Sequence, residues 1–201
     1  MREACRQARI WANAALGFRQ MSINISAIKL TSKNFVNRAS LILDDALLEP
    51  GRLQIEITET AVLGEMRAAG DVLRALSATD VCITMDDFGT GCSSLSHLMP
   101  FPIDTLKIEK SFVQNAIIFA EAATSMRALI SLGQSPDMRI VAKGIETVEQ
   151  LRFLQLRGCT FGPGYYFSKP APAKHISSPM RPDRKQAAKY QTSIDARDRA
   201  M

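Results

Sequence analysis

The chain has 201 residues, of which 46% are hydrophobic and 22% charged, a composition typical of a globular protein with a sizeable core. No apolar stretch approaches the roughly 20 residues that a bilayer-spanning helix needs, and the amino terminus lacks the apolar segment of a signal peptide. We therefore expect a cytoplasmic protein and exclude the membrane-spanning class. Four cysteines lie far apart without metal-ligand spacing, as expected for reduced thiols: Cys5, Cys82, Cys92 and Cys159.

The net charge of +5 is concentrated at the carboxyl terminus. From Lys174 onward there are seven basic and three acidic residues, which leaves +1 for the rest of the chain. This last segment has no apolar periodicity and contains Pro179 and Pro182. We predict one domain over residues 1–173 and a basic, disordered tail over 174–201. A solvated extension is the simpler interpretation of the tail, and a nucleic-acid or membrane partner is the alternative.

The apolar pattern predicts alternating helices and strands. Helices are predicted over residues 2–15, 33–48, 65–78, 119–133 and 147–157. Strands are predicted near 21–26, 53–58, 81–86, 104–108, 138–142 and 161–167, with a short helical turn around Ser94–Leu98. Such alternation is typical of an α/β fold with a parallel sheet and helices outside it.

Two adjacent carboxylates, Asp86 and Asp87, end the apolar strand that begins at Val81, directly before the loop Gly89-Thr90-Gly91. Like charges in a dry site repel each other and lose hydration, and a bound cation removes both costs. Oxygen ligands favour a hard ion such as Mg²⁺ or Mn²⁺. A turn-forming Asp pair before glycine is the alternative.

Three other predicted strands also carry polar side chains near their ends. Asn24 lies within an apolar strand, Glu56 alternates with Ile55 and Ile57, and Lys107 alternates with apolar neighbours. Each one alone is typical of a solvated face. Together with the aspartates they predict a cluster, because parallel α/β barrels gather such residues at the carboxyl ends of their strands.

These motifs, with those that follow, resemble the EAL-domain family of bacterial phosphodiesterases that hydrolyse cyclic di-GMP. The resemblance runs from Arg2 to about Pro172 with agreement in order and spacing. It rests on Arg2-Glu3-Ala4-Cys5, Asn24-Ile25-Ser26, Glu56-Ile57-Thr58-Glu59, Asp86 to Gly91 with Ser93-Ser94-Leu95, Thr105-Leu106-Lys107-Ile108, Gly144-Ile145-Glu146-Thr147 and Gly164-Tyr165-Tyr166-Phe167-Ser168.

The resemblance implies a modified (β/α)8 TIM-like barrel of the EAL type. The sequence predicts about six of its eight strands, and no Glu-Ala-Leu, the motif that names the family, occurs in it. We therefore expect an amino-terminally truncated domain that lacks the first two strands.

The resemblance also implies roles for residues of the cluster. In the family, two metal ions, Mg²⁺ or Mn²⁺, hold the phosphodiester and activate water. Asn24, Glu56 and Asp86 match ligands of the first metal, and Asp86 and Asp87 match ligands of the second.

Three further positions match residues that act around the metals. Lys107 matches a catalytic lysine near the attacking water that also contacts the phosphate. Glu59 matches a residue that steadies the loop after the aspartates, and Glu146 matches one that contacts substrate or supports the site.

Several departures from the family pattern bear on activity. Besides the Glu-Ala-Leu segment, Lys143 stands where the family has a metal-binding Glu, and Pro163 stands where it has a Gln. Smaller departures are Glu109 for the usual Asp and Cys92 for the usual Tyr. At about 4 Å a unit charge pair is worth about 4 kcal/mol at an effective dielectric of 20, so Lys143 replaces attraction for a cation with repulsion. We expect Lys143 to lie among the acidic residues and to neutralise them in part, so that Mg²⁺ or Mn²⁺ binding is weak or absent. An exposed lysine at the strand end, without a role, is the alternative.

Three hypotheses on function remain open at this stage. The first is a degenerate EAL-domain protein of cyclic di-GMP signalling without phosphodiesterase activity, which retains weak nucleotide binding or protein binding. The second is an active metal-dependent phosphodiesterase that hydrolyses cyclic di-GMP to linear pGpG. The third is a protein-interaction module with a vestigial nucleotide site.

The expected truncation also predicts how the protein associates. An open sheet has two free edges, one near Ile23 and one near Tyr166, and exposed edges invite pairing with other chains. We therefore expect marginal stability, with a homo-oligomer or a partner protein formed through the sheet edges.

Overall fold

The computed structural model describes residues 1–14, 18–64, 66–88, 100–132, 138–157, 159–161 and 172–173. The predicted turn at Ser94–Leu98, most of the last predicted strand and the tail from 174 lie outside the described residues, as do Cys92 and Pro163.

Helices and strands alternate along the described chain. The helices are α1 (Arg2–Asn13), α2 (Ala27–Leu30), α3 (Phe35–Ala46), α4 (Glu59–Leu63), α5 (Met66–Ser77), α6 (Lys110–Ile118), α7 (Ala120–Leu132) and α8 (Val148–Gln155), with a 3-10 turn at Pro50–Arg52. The strands are β1 (Met21–Asn24), β2 (Leu53–Thr58), β3 (Cys82–Phe88), β4 (Thr105–Ile108), β5 (Arg139–Ala142) and β6 (Thr160–Phe161). No helix among these is long and apolar enough to cross a membrane.

The six strands form one parallel sheet in which sequence order and spatial order coincide, β1-β2-β3-β4-β5-β6. Described helices occupy the connections β1–β2, β2–β3, β4–β5 and β5–β6, as is typical of parallel α/β folds. Within the described residues the sheet is open, with β1 and β6 at its edges. This agrees with the predicted α/β class and with an incomplete barrel.

The two faces of the sheet differ in chemistry. One face carries the apolar core, in which Ile55 lies beside Ile83 and Met85 beside Leu106. Helices pack against this face, and their apolar residues complete the core. The opposite face of the same strands carries buried polar residues: Gln54, Glu56, Thr84, Thr105 and Lys107. Their alternation with the apolar residues follows from the two-residue period of a strand.

Most predicted elements are found within a few residues of their expected bounds, and the differences arise at turns. The helix expected over 33–48 is α3, which begins after Asn34, a residue with a left-handed φ of 61°, and the short helix α2 before it was not predicted. Helices α4 and α6 were also not predicted by the sequence pattern. The second of these begins because the Glu109 side chain accepts a hydrogen bond from the Ser111 backbone N–H.

The described cysteines differ in burial. Cys5 and Cys159 are buried, and Cys82 is half-buried near the start of β3. Burial raises the pKa of the Cys159 thiol to about 11. This thiol therefore stays protonated at neutral pH and is a poor nucleophile.

Candidate functional site

The predicted cluster forms at the carboxyl ends of the strands. Asn24, the last residue of β1, pairs in register with Glu56 of β2, and Thr58 of β2 pairs with Asp86 of β3. Lys107 is the third of the four residues of β4. Because parallel strands end at one edge of the sheet, these side chains share that edge.

Glu56 and Lys107 form a buried ion pair on the polar face. The Lys107 Nζ donates a short hydrogen bond to Glu56 Oε1, and the two side chains are 10% and 5% exposed. Gln54 Nε2 lies 3.4 Å from the same oxygen. A buried charge without a partner is costly, so each residue of this pair makes the other tolerable in the interior.

A β-bulge interrupts the β3–β4 ladder at the two aspartates. Met85 pairs with Leu106, but the next pair is Phe88 with Ile108, so β3 contains one residue more than β4 over this interval. Asp87 adopts a left-handed φ of 56°, which is less costly for Asp than for most other residues. Its backbone N–H donates to Asp86 Oδ1 at 2.8 Å. A regular strand would direct neighbouring side chains to opposite faces, whereas a bulge redirects one of them.

Lys143 bridges the two aspartates. Its Nζ lies 2.6 Å from Asp86 Oδ1 and 2.6 Å from Asp87 Oδ1, and its side chain is 20% exposed. Burial alone would favour the neutral amine, but the hydrogen bonds that the ammonium donates to both aspartates, together with their negative charges, outweigh it and raise the pKa of Lys143. The ammonium is therefore charged throughout the neutral range, and it separates two carboxylates that would otherwise repel each other.

The backbone places Lys143 there by extending the sheet by one residue. The Lys143 N–H donates to the Ile108 carbonyl oxygen at 3.0 Å, which continues the β4–β5 ladder past Ala142. Gly144 then turns the chain with a φ of 66°. Ile145, one residue farther on, is fully buried.

Glu146 lies in the same turn and contacts α6. Its Oε1 is 2.7 Å from Lys110 Nζ, and its Oε2 is 3.5 Å from Gln114 Nε2. The Glu146 N–H donates to Gln150 Oε1 at 2.7 Å. The carboxylate predicted to contact substrate is thus held by an ammonium group at the rim of the site.

The remaining two predicted residues differ in burial. Asn24 is exposed at the end of β1. Glu59 is the first residue of α4 and is buried, and its Oε1 has no hydrogen-bond partner among the described residues. The resemblance implies that Glu59 steadies the loop after the aspartates. Residues 89–99, which form that loop, lie outside the described residues, so this role stays a prediction.

The carboxylates that match the family's metal ligands have cationic partners in this arrangement. The carboxylates of Glu56, Asp86 and Asp87 already accept hydrogen bonds from ammonium groups. In the described part of the chain, no three His, Cys, Asp or Glu side chains are grouped so that they could hold a metal ion. Carboxylate and amide oxygens are suitable ligands for hard cations, so the ligand types suit such an ion, and the departure from the family at these aspartates is the positive charge of Lys143.

Sequence reasoning found Lys143 but missed Lys110, Gln114 and Thr84. Lys110 and Gln114 are separated from Glu146 by more than 30 residues, and no local motif connects them. Thr84 is fully buried on the polar face, and its hydroxyl oxygen has no partner among the described residues. The only sequence signal for its burial is its position within the apolar run of residues 81–85.

The comparisons with known proteins agree with the resemblance. The family model described as "EAL domain" matches residues 1–170. An uncharacterised signalling protein of Caulobacter vibrioides is 41% identical over 177 residues, which cover 88% of this chain and 21% of that protein. The bifunctional diguanylate cyclase/cyclic di-GMP phosphodiesterase MucR of Pseudomonas aeruginosa is 34% identical, covering 87% of this chain and 25% of MucR. The chain thus spans about a fifth to a quarter of the length of these curated relatives.

Solved structures give the same result. The PaMucR phosphodiesterase in complex with c-di-GMP has a TM-score of 0.80 at 34% identity, covering 87% of this chain and 71% of that one. Klebsiella pneumoniae BlrP1 in complex with manganese and cyclic di-GMP has a TM-score of 0.74 at 30% identity, covering 82% of this chain and 42% of that one. These matches confirm the predicted TIM-like fold of the EAL type.

Proposed function

Because this chain belongs to the EAL domain family, we propose that it is a module of cyclic di-GMP signalling that binds the nucleotide weakly and does not hydrolyse it. One observation carries the proposal: the Lys143 ammonium lies 2.6 Å from a carboxylate oxygen of each aspartate. A divalent ion at these carboxylates would have to displace or repel a positive charge that is fixed in the chain.

Electrostatics supports this proposal over the active phosphodiesterase. At a separation of about 4 Å and an effective dielectric of about 20, repulsion between two unit charges costs about 4 kcal/mol, and a divalent ion doubles this cost. Lys143 is held by two hydrogen bonds and by its position at the end of the β4–β5 ladder. The relative BlrP1 has been solved with manganese and cyclic di-GMP, and we propose that this chain takes up neither Mg²⁺ nor Mn²⁺ with comparable strength.

The groups on the polar edge also limit nucleotide binding. The three carboxylates of Glu56, Asp86 and Asp87 face only two ammonium groups, so this group of five side chains has a net charge of −1. A phosphodiester anion is not attracted by such a site unless a metal ion is added. We therefore propose a weak complex in which Lys107 and Glu146 are the contacts.

Hydrolysis is tested with purified protein, cyclic di-GMP and either Mg²⁺ or Mn²⁺, with linear pGpG measured by chromatography. We expect no product above the metal-free control. Turnover that requires metal and disappears in Asp86→Ala would overturn the proposal.

Metal binding is tested separately by titration calorimetry with Mn²⁺. Lys143→Glu should bind Mn²⁺ more tightly than the wild type, because it replaces a positive charge by a potential ligand. Lys143→Met is the matched control, since it removes the charge without adding a ligand, and it should lie between the two. Equal affinities for all three proteins would remove Lys143 from the argument.

Nucleotide binding separates this proposal from a protein-interaction module. A fluorescent cyclic di-GMP analogue without metal should bind with a dissociation constant weaker than the low micromolar range. Tighter binding would show that the site does not depend on metal for its affinity, and complete absence of binding at millimolar concentrations would favour the protein-interaction module.

A further inference from the structure

The turn between β5 and α8, residues 143–147, contacts α6 through Lys110 and, at the longer distance of 3.5 Å, through Gln114 Nε2 and Glu146 Oε2. Gly144 has a φ of 66°, and a Cβ built on it would lie 2.5 Å from Lys110 Cγ and 2.6 Å from Lys110 Cβ. Such distances are far below van der Waals contact, so the Lys110 stem fills the space beside the Gly144 backbone. Substituting Gly144 would therefore force both the backbone and Lys110 to move.

The charged end of the same side chain contacts the turn two residues later. Lys110 Nζ lies 2.7 Å from Glu146 Oε1, and the two side chains are 41% and 36% exposed. One residue thus contacts the turn twice, with its apolar stem at Gly144 and with its ammonium at Glu146. Long lysine side chains commonly combine apolar packing and a polar end in this way.

The rest of the turn is also fixed. Gln150 Oε1 accepts hydrogen bonds from the backbone N–H groups of Glu146 and Thr147, at 2.7 and 3.1 Å. The Thr147 side chain accepts one from the Gln150 N–H, which completes a capping box at the start of α8. Of the two α6 side chains described at this capped turn, Lys110 makes the closer contact with Glu146, at 2.7 Å against 3.5 Å for Gln114, and it also packs against Gly144.

We propose that Lys110 is a positioning residue of the nucleotide site: by holding the 143–147 turn it sets Lys143 between Asp86 and Asp87 and keeps the Glu146 carboxylate at the rim. This inference rests on the proposed function for its consequence in nucleotide binding. The positioning of Lys143 by Lys110 does not rest on the proposed function, because the contacts of both lysines are formed without any ligand. Loss of Lys110 lets the turn move, which weakens the Lys143 bridge.

A double-mutant cycle on the folding equilibrium constant measures this connection. The variants are Lys110→Ala, Lys143→Met and the double variant, and each is unfolded in urea without metal or nucleotide. If Lys110 positions Lys143, the effects should be non-additive, with a coupling of roughly two- to fivefold, as expected for partly exposed ion pairs. Additive effects within error would overturn the proposal.

The matched control uses an exposed ion pair on another helix. Arg6 lies 2.6 Å from Glu3 on α1, and neither residue contributes to the site. Arg6→Met combined with Lys143→Met should be additive. Coupling of the same size in this control would show that the cycle reports a general loss of stability instead of positioning.

Two further readouts distinguish positioning from simple stabilisation. The Asp87 amide, which donates to Asp86, should change its ¹H–¹⁵N resonance in Lys110→Ala in the same direction as in Lys143→Met. Lys110→Arg should restore the wild-type resonance, since it keeps the apolar stem and the charge. An unchanged Asp87 resonance in Lys110→Ala overturns the proposal even if stability falls. Hydrolysis by the wild type would refute the proposed function while leaving this coupling intact.

Discussion

The two faces of β2, β3 and β4 are stabilised by different physics. Leu106 and Lys107 are neighbours in β4, yet Leu106 packs in the apolar core while Lys107 pairs with Glu56 on the polar face. On the core face, free energy comes from many contacts of similar kind, at about 25 cal/mol for each Å² of apolar surface buried. On the polar face the stabilising free energy depends on individual ion-pair partners, and the loss of one partner leaves the other as an uncompensated buried charge.

This difference explains why the polar face is the more sensitive to change. A core residue can be replaced by another of similar volume, because neighbouring side chains adjust. An ion pair with 10% and 5% exposed partners has less tolerance, since water replaces a lost partner only in small part at such burial. Three substitutions test the contrast, from the largest expected effect to the smallest.

The first substitution is Lys107→Met, which keeps the length of the side chain and removes its charge. We expect the free energy of unfolding to fall by about 3–5 kcal/mol, because Glu56 is left buried without its cation. Urea unfolding followed by circular dichroism measures the change. The double variant Lys107→Met/Glu56→Gln should recover most of the loss, and a single variant as stable as the wild type would contradict a buried ion pair.

The second substitution is Leu106→Ala, one residue away on the core face. We expect a loss of about 3 kcal/mol, in the middle of the ~2–5 kcal/mol range for buried Leu→Ala changes, from lost transfer free energy and the cavity left behind. The same urea experiment applies. Leu106→Met is the control and should cost less than about 1.5 kcal/mol. If Leu106→Met were as harmful as Leu106→Ala, packing volume would not be the cause.

The third substitution is Thr84→Val on the polar face. The Thr84 hydroxyl is fully buried and has no partner among the described residues. Replacing it by a methyl group should raise the free energy of unfolding by up to about 1 kcal/mol, since a buried unsatisfied polar atom costs free energy.

Thr79→Val is the matched control for this last change. The Thr79 hydroxyl donates to the Leu76 carbonyl oxygen at 2.7 Å, so its loss should destabilise the protein. Thermal melting of both variants shows whether each substitution raises or lowers the melting temperature. Destabilisation by Thr84→Val equal to that of Thr79→Val would indicate that the Thr84 hydroxyl is bonded, for example to an ordered water molecule.

Much of the fold could be predicted from the local pattern. The alternation of Ile55 and Ile57 with Glu56 predicted β2 with its bounds, because a strand alternates its faces with a period of two. The order of strand and helix predicted a parallel sheet. The turn at Asn34 and the short helix α4 were missed, because a left-handed residue and a five-residue helix produce no periodicity.

The sequence by itself determined the family, the α/β class and the presence of Lys143 after the fifth strand. Only the tertiary structure decided what Lys143 does. The β-bulge at Asp86 and Asp87 brings both carboxylates to one ammonium group, although strict alternation would separate them. The contacts of Lys110 with Gly144 and Glu146 were equally hidden, since they join residues more than 30 positions apart. Periodicity is a property of neighbours along the chain, whereas an ion pair depends on distances in space that only the folded chain sets.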